Sequence, residues 1–334
     1  MTRPVHIGIV TYNSRHDIEH CLAAVFQQTY PNYRVSIVDN ASNDDTVQWV
    51  QQTHPTIAII VNPQNIGFGR AHNQIIATID NAHYLALNPD AILAPDYLEK
   101  LVSALETYHA GWLTGKLLLP DGQHLYSAGH ALLSNGFAFN IGYGMLDATE
   151  FNQARKIFGS PAAAVLYSAE LITDLGQPFF DETFFMYSED TDVDWRSQHH
   201  GWDCWYIPTA TATHRGSQAT SELQIQAVAN RYLSILKNAC LLSLITSHIP
   251  VMIIHLLLRL LLTPRQGWAM LRRILLYAPE QWRKRQTIPF NCERLREWHK
   301  WSRQQPSQQP HTLSQRLQLF IRKRTLYTIS QLLL

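Results

Sequence analysis

The sequence predicts an α/β protein with a mostly parallel sheet flanked by helices, followed by a helical C-terminal extension. Between residues 5 and 87, short runs rich in β-branched residues alternate with segments in which apolar residues recur at helical spacing. A polar cluster follows each of four such runs, and the sign of the net charge reverses after residue 227. Strands separated by helices imply βαβ units, whose parallel sheets are covered on both faces.

The predicted strands and helices alternate in chain order. The strands cover residues 5–10 (VHIGIV), 35–38, 57–61 and 84–87, and the helices cover residues 17–28 and 70–79. The first helix carries Ile18, Leu22 and Val25 at a spacing that forms one apolar face, and Pro31 lies beyond its end.

Polar residues follow all four predicted strands. They are Thr11, Tyr12 and Asn13 after the first strand, Asp39 and Asn40 after the second, Asn65 and Gly67 after the third, and Asn88 and Asp90 after the fourth. Ligands bind beyond the carboxyl ends of the strands in such sheets, so these residues predict a binding site. For Asp39 and Asp90 the alternative is turn chemistry, because Asp and Asn favour turns.

The motifs near these ends argue against two classes of nucleotide-binding protein. Gly67-Phe68-Gly69 lacks the third glycine of the dinucleotide fingerprint and follows the third strand, which argues against a dehydrogenase. A G-x-x-x-x-G-K-[ST] motif is absent from the sequence, so this is not a P-loop protein. Asp39 can instead accept a hydrogen bond from the imide N–H of uracil or thymine. Asp90 can hold a divalent cation, Mg²⁺ or Mn²⁺, between two phosphates.

Residues 179–215 form an acidic and aromatic stretch. Six carboxylates lie within residues 181–194, among several large apolar side chains: Asp181, Glu182, Glu189, Asp190, Asp192 and Asp194. Carboxylates in apolar surroundings have raised pKa values unless a cation or donor compensates. The stretch therefore fits acid/base work, metal ligation together with His214, or a salt-bridged surface helix. We expect Asp192 and Asp194 to be first-turn helix acids in solvent, and Trp195 to pack in the core.

Cysteine usage and the N-terminus predict a cytoplasmic protein. The four cysteines, Cys21, Cys204, Cys240 and Cys292, show no C-x-x-C spacing, which favours reduced thiols. The sequence enters its first strand without an apolar signal segment.

The charge pattern divides the chain into two parts. Residues 1–227 carry 10 Lys and Arg against 23 Asp and Glu, whereas residues 228–334 carry 17 against 3. We expect residues 1–227 to form the catalytic domain and residues 228–334 to form a basic, Leu-rich helical extension. Such an extension suits an anionic membrane surface, which predicts a peripheral protein on the inner face of the cell membrane. The alternative is that the extension packs onto the acidic domain and the charges pair.

Two segments of the extension favour membrane contact. Residues 239–258 contain no Lys, Arg, Asp or Glu and are long enough to span a bilayer. An interfacial helix or re-entrant hairpin is favoured over a buried helix or a true span, because a span would place the basic remainder on the far side. Residues 304–310 (QQPSQQP) are typical of a linker, and residues 313–334 mix Leu with Arg and Lys as a membrane-surface helix does.

The ordered motifs resemble those of the family 2 glycosyltransferases with the GT-A fold. The matching segments are VTYN at 10–13, VDNASNDDT at 38–46, NIGFGRAHN at 65–73, LNPDA at 87–91, GSPAAAVLYSAEL at 159–171, FFDETFFMYSEDTDVDWR at 179–196 and GWDCWYIPTA at 201–210. They most resemble bacterial rhamnosyltransferase-type enzymes of cell-surface polysaccharide synthesis.

The resemblance implies a nucleotide-diphospho-sugar donor, dTDP- or UDP-linked, a divalent metal and an inverting displacement. Asp190 matches the catalytic base, with Glu189 beside it, and Asp90 and His214 match metal ligands. Asn88 replaces the first acid of the family's DXD-type motif, which leaves fewer charged metal ligands. The residues that match or adjoin the donor pocket are Thr11, Tyr12, Asn13, Asp39, Asn40, Asn65, Gly67, Arg70 and Asn88.

The implied acceptor is a hydroxyl of a glycan or lipid-linked glycan, and no nucleic acid is expected as a partner. Inverting transfer needs one base for the proton of the attacking hydroxyl, and a metal stabilises the leaving diphosphate. The alternative to an enzyme is a non-catalytic GT-A module that binds a nucleotide or glycan, which Asn88 favours. A nucleotidyltransferase is less favoured, because the N-terminal region lacks a basic phosphate-binding motif.

Overall fold

A computed structural model describes residues 3–216 and 220–306. Its strands are β1 (Val5–Thr11), β2 (Tyr33–Asp39), β3 (Ala58–Val61), β4 (His83–Leu87), β5 (Ala91–Leu93), β6 (Trp112–Leu118), β7 (Leu125–Ser127), β8 (His130–Leu132), β9 (Ala138–Asn140), β10 (Arg155–Ile157), β11 (Ala164–Tyr167) and β12 (Cys204–His214). The helices of the N-terminal part are α1 (Arg15–Val25), α2 (Thr46–Thr53), α3 (Phe68–Ile76), α4 (Tyr97–Tyr108), α5 (Ala169–Leu175) and α6 (Glu189–His199). They are followed by α7 (Ser221–Asn238), α8 (Leu241–Ser243), a π-helical turn (Leu244–His248), α9 (Ile249–Leu262), α10 (Pro264–Arg285) and α11 (Cys292–Ser302).

One mixed, mostly parallel sheet forms the centre of the protein. Its strand order is β10-β12-β6-β11-β4-β1-β2-β3, with β5 paired to β12 and β7 paired to β6. The pairs β3–β2, β2–β1, β1–β4 and β6–β12 are parallel, and β11 runs antiparallel to both β4 and β6. The carboxyl ends of β1, β2, β3, β4 and β12 therefore lie at one edge of the sheet.

Alternating side chains bury the central strands of the sheet on both faces, as β4 shows. In β4, Leu85 and Leu87 join the cluster with α1 and α4, whereas Tyr84 and Ala86 join the cluster with α3 and α5. This is the period of two that a strand requires. The four predicted strands and two predicted helices between residues 5 and 87 are confirmed, with bounds shifted by a few residues.

The extension packs against the N-terminal part through a third core. Trp195 of α6 and Phe158 lie in one cluster with Tyr232 of α7, Leu295 and Trp298. The predicted core position of Trp195 is confirmed, since it is 1% exposed. The predicted boundary at 227/228 falls within α7.

Buried ion pairs join the extension to the acidic stretch. Lys237 of α7, 4% exposed, places its Nζ 2.7 Å from Asp181 and 2.9 Å from Asp192. Lys284 Nζ lies 2.6 Å from Asp181, and Arg196 Nε lies 2.9 Å from Asp192. Charges of the extension and the acidic domain thus pair at these positions, as the alternative interpretation of the extension expected.

Asp192 and Asp194 do not lie in solvent, so this prediction is wrong. Both are fully buried, because each meets partners distant in sequence that compensate its charge. Asn238 Nδ2 donates to Asp192 at 2.8 Å, and Trp112 Nε1 donates to Asp194 at 3.0 Å. The interpretation of these residues as solvent-exposed acids in the first turn of a helix fails, because α6 is covered on the side that carries the two carboxylates.

The prediction of four reduced thiols is also wrong for two of them. Cys240 and Cys292 form a disulfide across 52 residues of sequence, joining the start of α8 to the start of α11. Cys21 and Cys204 are free and buried. A spacing of this length gives no sequence signal, since only the fold of α7, α10 and α11 brings the two residues together.

The extension also contains an exposed apolar hairpin. Residues Leu241–Leu262 form a helical stretch long and apolar enough to cross a membrane, and 17% of its most apolar window is buried. The buried-helix interpretation of residues 239–258 therefore does not describe this stretch. The exposed apolar residues of the α9–α10 hairpin include Ile253, Ile254, Leu257, Leu261, Leu262, Trp268, Leu275 and Leu276. The predicted helix at 313–334 and most of the predicted linker at 304–310 lie outside the described residues.

Replacing Lys237 by Met should destabilise the protein and change its response to acid. Burial acts to raise the pKa of Asp181 and of Asp192, but Lys237 and the neighbouring cations outweigh burial and lower both. Removing one partner of a buried ion pair costs about 3–5 kcal/mol near neutral pH. Carboxylates with lowered pKa stabilise the fold above the pKa of an unfolded Asp, about 3.9, and lose that contribution as the pH falls.

The stability difference between the wild type and Lys237→Met should therefore narrow below pH about 4. Urea unfolding from pH 3 to pH 8 measures this difference, with the exposed Lys300→Met as the control variant. A difference that does not change with pH would contradict the ion-pair account.

Candidate active site

The pairing of β12 with β5 brings His214 to Asp90. Cα atoms of His214 and Ala91 are register partners, so the end of β12 lies beside the turn that follows β4. His214 Nε2 lies 3.1 Å from Asp90 Oδ1 and 3.1 Å from Asn88 Nδ2. His214 is buried, and burial acts to raise the pKa of Asp90, but the hydrogen bond with His214 and its charge lower it.

This trio fits part of a divalent cation site. Mg²⁺ and Mn²⁺ are commonly held by one or two protein ligands together with substrate phosphates and water. Asp90 supplies an oxygen ligand and His214 a nitrogen ligand, while Asn88 offers a neutral amide. Within residues 3–216 and 220–306, groups of three or more His, Cys, Asp or Glu that could hold a metal are absent. The residues therefore fit a cation whose remaining ligands come from a bound diphosphate.

A buried hydrogen-bond network occupies the ends of β1 and β2. Thr11 Oγ1 donates to Asp39 Oδ2 at 2.8 Å, and Ser42 donates to the same carboxylate through its Oγ at 2.6 Å and its backbone N–H at 2.8 Å. The side-chain amide of Asn40 donates to Gly67 O at 3.2 Å. Asn13 joins this network, since its backbone N–H donates to Ser42 Oγ at 2.8 Å.

Gly67 fixes the position of the acidic stretch relative to the sheet. Its φ is +88°, and a Cβ atom there would lie 2.2 Å from Phe185 O. The next residue, Phe68, donates its N–H to the same carbonyl at 2.8 Å, and Asn65 Oδ1 accepts from Gly67 N at 2.9 Å. Gly69 also lies close, because its Cβ would be 2.9 Å from the Cβ of Phe180. The two glycines thus allow close backbone approach rather than a dinucleotide cradle.

Glu189 and Asp190 begin α6 and have different environments. Burial raises the pKa of Glu189 well above its usual value, and the negative charge of Asp190 adds to this effect. Glu189 Oε2 is buried without a hydrogen-bond partner among the described residues. Asp190 is half-buried and accepts from Thr191 N at 2.7 Å and from Ala162 N at 3.4 Å. Asp190 is therefore the more accessible member of the pair.

The segment after Gly159 connects Asp190 to the trio of Asn88, Asp90 and His214. Ala162 donates to Asp190, and Asn88 N donates to the carbonyl of the next residue, Ala163, at 2.8 Å. Tyr126 packs against the trio, with its ring centroid 4.4 Å from that of His214. Burial raises the pKa of Tyr126, and the charges of Asp190 and Asp90 raise it further. The two halves of the predicted site are thus joined through two consecutive residues, and Tyr126 senses the charges of both.

Asp194 also binds the segment that follows Gly159. His130 Nδ1 lies 2.8 Å from Asp194, and Ser160 N donates to it at 3.1 Å. Burial raises the pKa of Asp194 to about 6, with a further contribution from Asp190. A Cβ atom on Gly159 would lie 2.0 Å from the Asp194 carboxyl group, so the segment can approach only because residue 159 is Gly.

Most predicted site residues lie together, and two do not. Arg70 is exposed on α3, and its Nε lies 3.6 Å from Glu182 rather than at the strand ends. Tyr12 is 51% exposed at the rim. The sequence prediction missed Ser42 and Tyr126 as site residues. Ser42 lies inside the VDNASNDDT motif and was open to identification, whereas the irregular segment around Tyr126 carries no such signal.

Comparison with protein families and characterised proteins gives a consistent result. Residues 6–125 match the model of glycosyl transferase family 2. The N-acetylglucosaminyl-diphospho-decaprenol L-rhamnosyltransferase of Mycobacterium tuberculosis is 26% identical over 247 residues, which cover 66% of this chain and 78% of that protein. The putative teichuronic acid biosynthesis glycosyltransferase TuaG of Bacillus subtilis is 29% identical over 132 residues, 37% of this chain and 52% of that protein.

Two solved structures confirm the predicted GT-A fold. GalNAc-T7, solved with UDP, GalNAc and Mn²⁺, superposes with a TM-score of 0.56 at 10% identity, covering 70% of this chain. S. aureus TarS superposes with a TM-score of 0.52 at 14% identity, covering 89% of this chain. This chain spans about half the length of each, 48% and 55%.

Substituting Gly67 by Ala should cost more stability than the same change at Gly122. Both residues have positive φ, +88° and +66°, but a Cβ on Gly122 would meet nothing within 4 Å. The left-handed conformation alone costs about 1 kcal/mol for Gly122→Ala. Gly67→Ala adds an overlap with Phe185 O, so about 3 kcal/mol is expected in total. Thermal unfolding of both variants measures this; equal losses would show that Gly67 does not hold the acidic stretch.

Proposed function

We propose that the chain works as an inverting glycosyltransferase with Asp190 as the base, since residues 6–125 match the model of glycosyl transferase family 2. It moves a sugar from a nucleotide-diphospho-sugar to a hydroxyl of a glycan or lipid-linked acceptor. The observation that carries this proposal is the half-buried Asp190, connected through Ala162 and Ala163 to the Asn88–Asp90–His214 trio. A carboxylate there faces the place where the trio would hold a diphosphate.

In the proposed reaction Asp190 takes the proton of the acceptor hydroxyl as its oxygen attacks the anomeric carbon. Attack comes from the face opposite the leaving nucleoside diphosphate, so the anomeric configuration inverts. Glu189 is held neutral by burial and does not compete for this proton. Asp190 is only half-buried, so an acceptor hydroxyl can reach its carboxylate.

Asp90 and His214 would hold a divalent cation, with Asn88 beside them. When bound, Mg²⁺ or Mn²⁺ supplies charge stabilisation for the leaving diphosphate. Asp39, buried at the end of β2, is the proposed acceptor for a uracil or thymine imide, which is the basis for a UDP- or dTDP-linked donor. Thr11 and Ser42 already orient its carboxylate.

The mycobacterial relative supports rhamnose as the donor sugar and a lipid-linked diphosphate sugar as the acceptor. Because this relative is 26% identical over 247 residues, we propose both the donor sugar and the acceptor for this chain. A role in cell-surface polysaccharide synthesis follows, in agreement with the similarity to TuaG. The apolar surface of the α9–α10 hairpin supports membrane association, and we propose the cytoplasmic face of the cell membrane as its location.

Asp190→Asn should abolish transfer while donor binding persists. The amide keeps the size of Asp190 and one acceptor oxygen, which can still accept from Thr191 N, although it loses the longer bond from Ala162 N. It cannot take the proton, so a loss of at least about 100-fold in kcat is expected. Glu182→Gln, an exposed acid in the same stretch, is the matched control. Transfer is measured with a panel of nucleotide sugars and Mn²⁺, and donor binding by the shift in Tm.

The outcomes separate the enzyme from the non-catalytic module that Asn88 leaves open. Wild-type protein that binds a nucleotide sugar but never transfers or hydrolyses it would favour the module. Near-normal transfer by Asp190→Asn would mean that another group is the base.

Membrane binding should depend on the α9–α10 hairpin. Leu261 and Leu275 are 75% and 65% exposed, and burying such side chains in a bilayer contributes about 1.5–3 kcal/mol each. The double variant Leu261→Glu with Leu275→Glu should therefore bind phosphatidylglycerol vesicles at least about tenfold more weakly. Leu146→Glu, which alters a 61% exposed Leu of the catalytic domain, should bind normally. Wild-type protein that stays in the supernatant after sedimentation with these vesicles would rule out the membrane proposal.

A further inference from the structure

Strand β7 contains a bulge at Tyr126. In the antiparallel pair of β6 and β7, Leu117 is the register partner of Ser127. The next residue of β6, Leu118, is the partner of Leu125, so Tyr126 is an extra residue between two paired ones. Leu125 and Ser127 are buried, whereas Tyr126 is half-buried. A bulge redirects the side chain of its extra residue, and bulges are frequent next to active sites.

The ring of Tyr126 lies against the proposed metal ligand His214. The two ring centroids are 4.4 Å apart, and the ring planes are perpendicular. Gly216 leaves room for this arrangement, since a Cβ atom there would lie 3.1 Å from Tyr126 Cε2. The bulge and the glycine thus allow an aromatic side chain to pack beside the trio of Asn88, Asp90 and His214.

The hydroxyl group of Tyr126 is a donor that the described residues do not use. It makes no hydrogen bond within residues 3–216 and 220–306, whereas Tyr97 and Tyr206 donate to backbone carbonyls at 2.6 Å and 2.9 Å. Burial raises the pKa of Tyr126, and the charges of Asp190 and Asp90 raise it further. The phenol therefore stays protonated at neutral pH and can donate. Since Coulombic effects weaken with distance, the ring carries its hydroxyl near both carboxylates.

We propose that the Tyr126 hydroxyl donates a hydrogen bond to the β-phosphate of the leaving nucleoside diphosphate and is a catalytic residue. The inference rests on the proposed function, in which the trio holds this diphosphate. The β-phosphate is the one joined to the sugar, so it lies toward Asp190 from the cation. A donor near both Asp90 and Asp190 therefore suits the β-phosphate better than the α-phosphate. Phosphate oxygens form strong hydrogen bonds because they are charged acceptors.

The hydroxyl acts in the proposed reaction without giving up its proton. The bond between the anomeric carbon and the β-phosphate oxygen breaks, and its electron pair stays on that oxygen. The acceptor oxygen forms the new bond to the anomeric carbon, and its proton passes to Asp190. The β-phosphate gains charge as its bond breaks, so the hydrogen bond from Tyr126 strengthens toward the transition state. Such a bond raises kcat more than it strengthens donor binding.

Tyr126→Phe tests this contact, because it removes the hydroxyl and keeps the ring that packs on His214. The kcat should fall about 10- to 100-fold, as expected for loss of a hydrogen bond to a charged group, with little change in KM for the donor. Tyr108→Phe is the matched control, since Tyr108 is a 37% exposed tyrosine that stacks on Trp205. It should leave kcat unchanged. A near-normal kcat in Tyr126→Phe would overturn the proposal.

The dependence of transfer on Mn²⁺ separates a direct contact from an effect through His214. Tyr126→Phe should need the same Mn²⁺ concentration as the wild type for half-maximal transfer, because the ring is retained. Its kcat should stay low at saturating Mn²⁺. A normal kcat at saturating Mn²⁺, reached at a higher Mn²⁺ concentration, would show that Tyr126 acts on the metal ligand and would overturn the contact with the phosphate.

Calorimetry with nucleotides in Mn²⁺ reads the contact without any transfer. The probes are UDP with UMP and dTDP with dTMP, because each pair differs only in the β-phosphate. Tyr126→Phe should bind the diphosphate at least about tenfold more weakly than the wild type and the monophosphate equally well. Equal losses for both members of a pair, or no loss for the diphosphate, would overturn the contact.

The proposed function and the Tyr126 contact fail in different ways. A wild-type protein that shows the diphosphate-specific difference from Tyr126→Phe but transfers no sugar would remove the proposed function. Tyr126 would then be a phosphate-binding residue of a nucleotide-binding module. Sugar transfer that Tyr126→Phe leaves intact would remove the Tyr126 contact alone.

Discussion

The buried amino group of Lys237 between Asp181 and Asp192 is the interaction on which the arrangement of the site depends. Asp181 lies in the loop before α6, Asp192 lies in α6 itself, and Lys237 belongs to the extension. Burying a lone charge at any of these positions is costly, so each residue needs the others. The extension is therefore a structural part of the acidic stretch. It also contacts the loop directly, because Asn230 bonds to the two carbonyls before Ser188.

The sheet imposes the second constraint. Parallel strands end at one edge, so β1, β2 and β4 bring Asp39 and Asp90 to the same side, and β12 adds His214 through its register with β5. The acidic stretch closes over this edge at Gly67, where the absence of a side chain lets Phe185 O approach. The proposed base, Asp190, thus lies at the start of α6, and the proposed metal ligands, Asp90 and His214, lie at the strand ends. Ala162 N donates to the Asp190 carboxylate, and Asn88 N donates to Ala163 O. These two contacts set the distance between Asp190 and the trio of Asn88, Asp90 and His214.

The strands and their polar ends were predictable from sequence because β-branched runs and turn residues act locally. The order of the motifs indicated the family for the same reason. The burial of Asp192 and Asp194 was not predictable, since Lys237 and His130 lie 45 and 64 residues away. The Cys240–Cys292 bond, across 52 residues, has the same origin. The local sequence pattern distinguishes an acidic residue in a helix from one in a loop. Whether the helix face that carries it is buried depends on segments distant in the sequence that pack onto that face.

The most direct test is a crystal structure with Mn²⁺ and a nucleoside diphosphate, with anomalous data collected at the manganese edge. The account predicts one anomalous peak coordinated by Asp90 and His214. The diphosphate should contact this manganese ion, and its β-phosphate should lie on the side of Asp190. The nucleobase should contact Asp39. A manganese peak away from Asp90 and His214, or a nucleotide bound away from Asp39, would contradict the claim that the strand ends and α6 form one catalytic site.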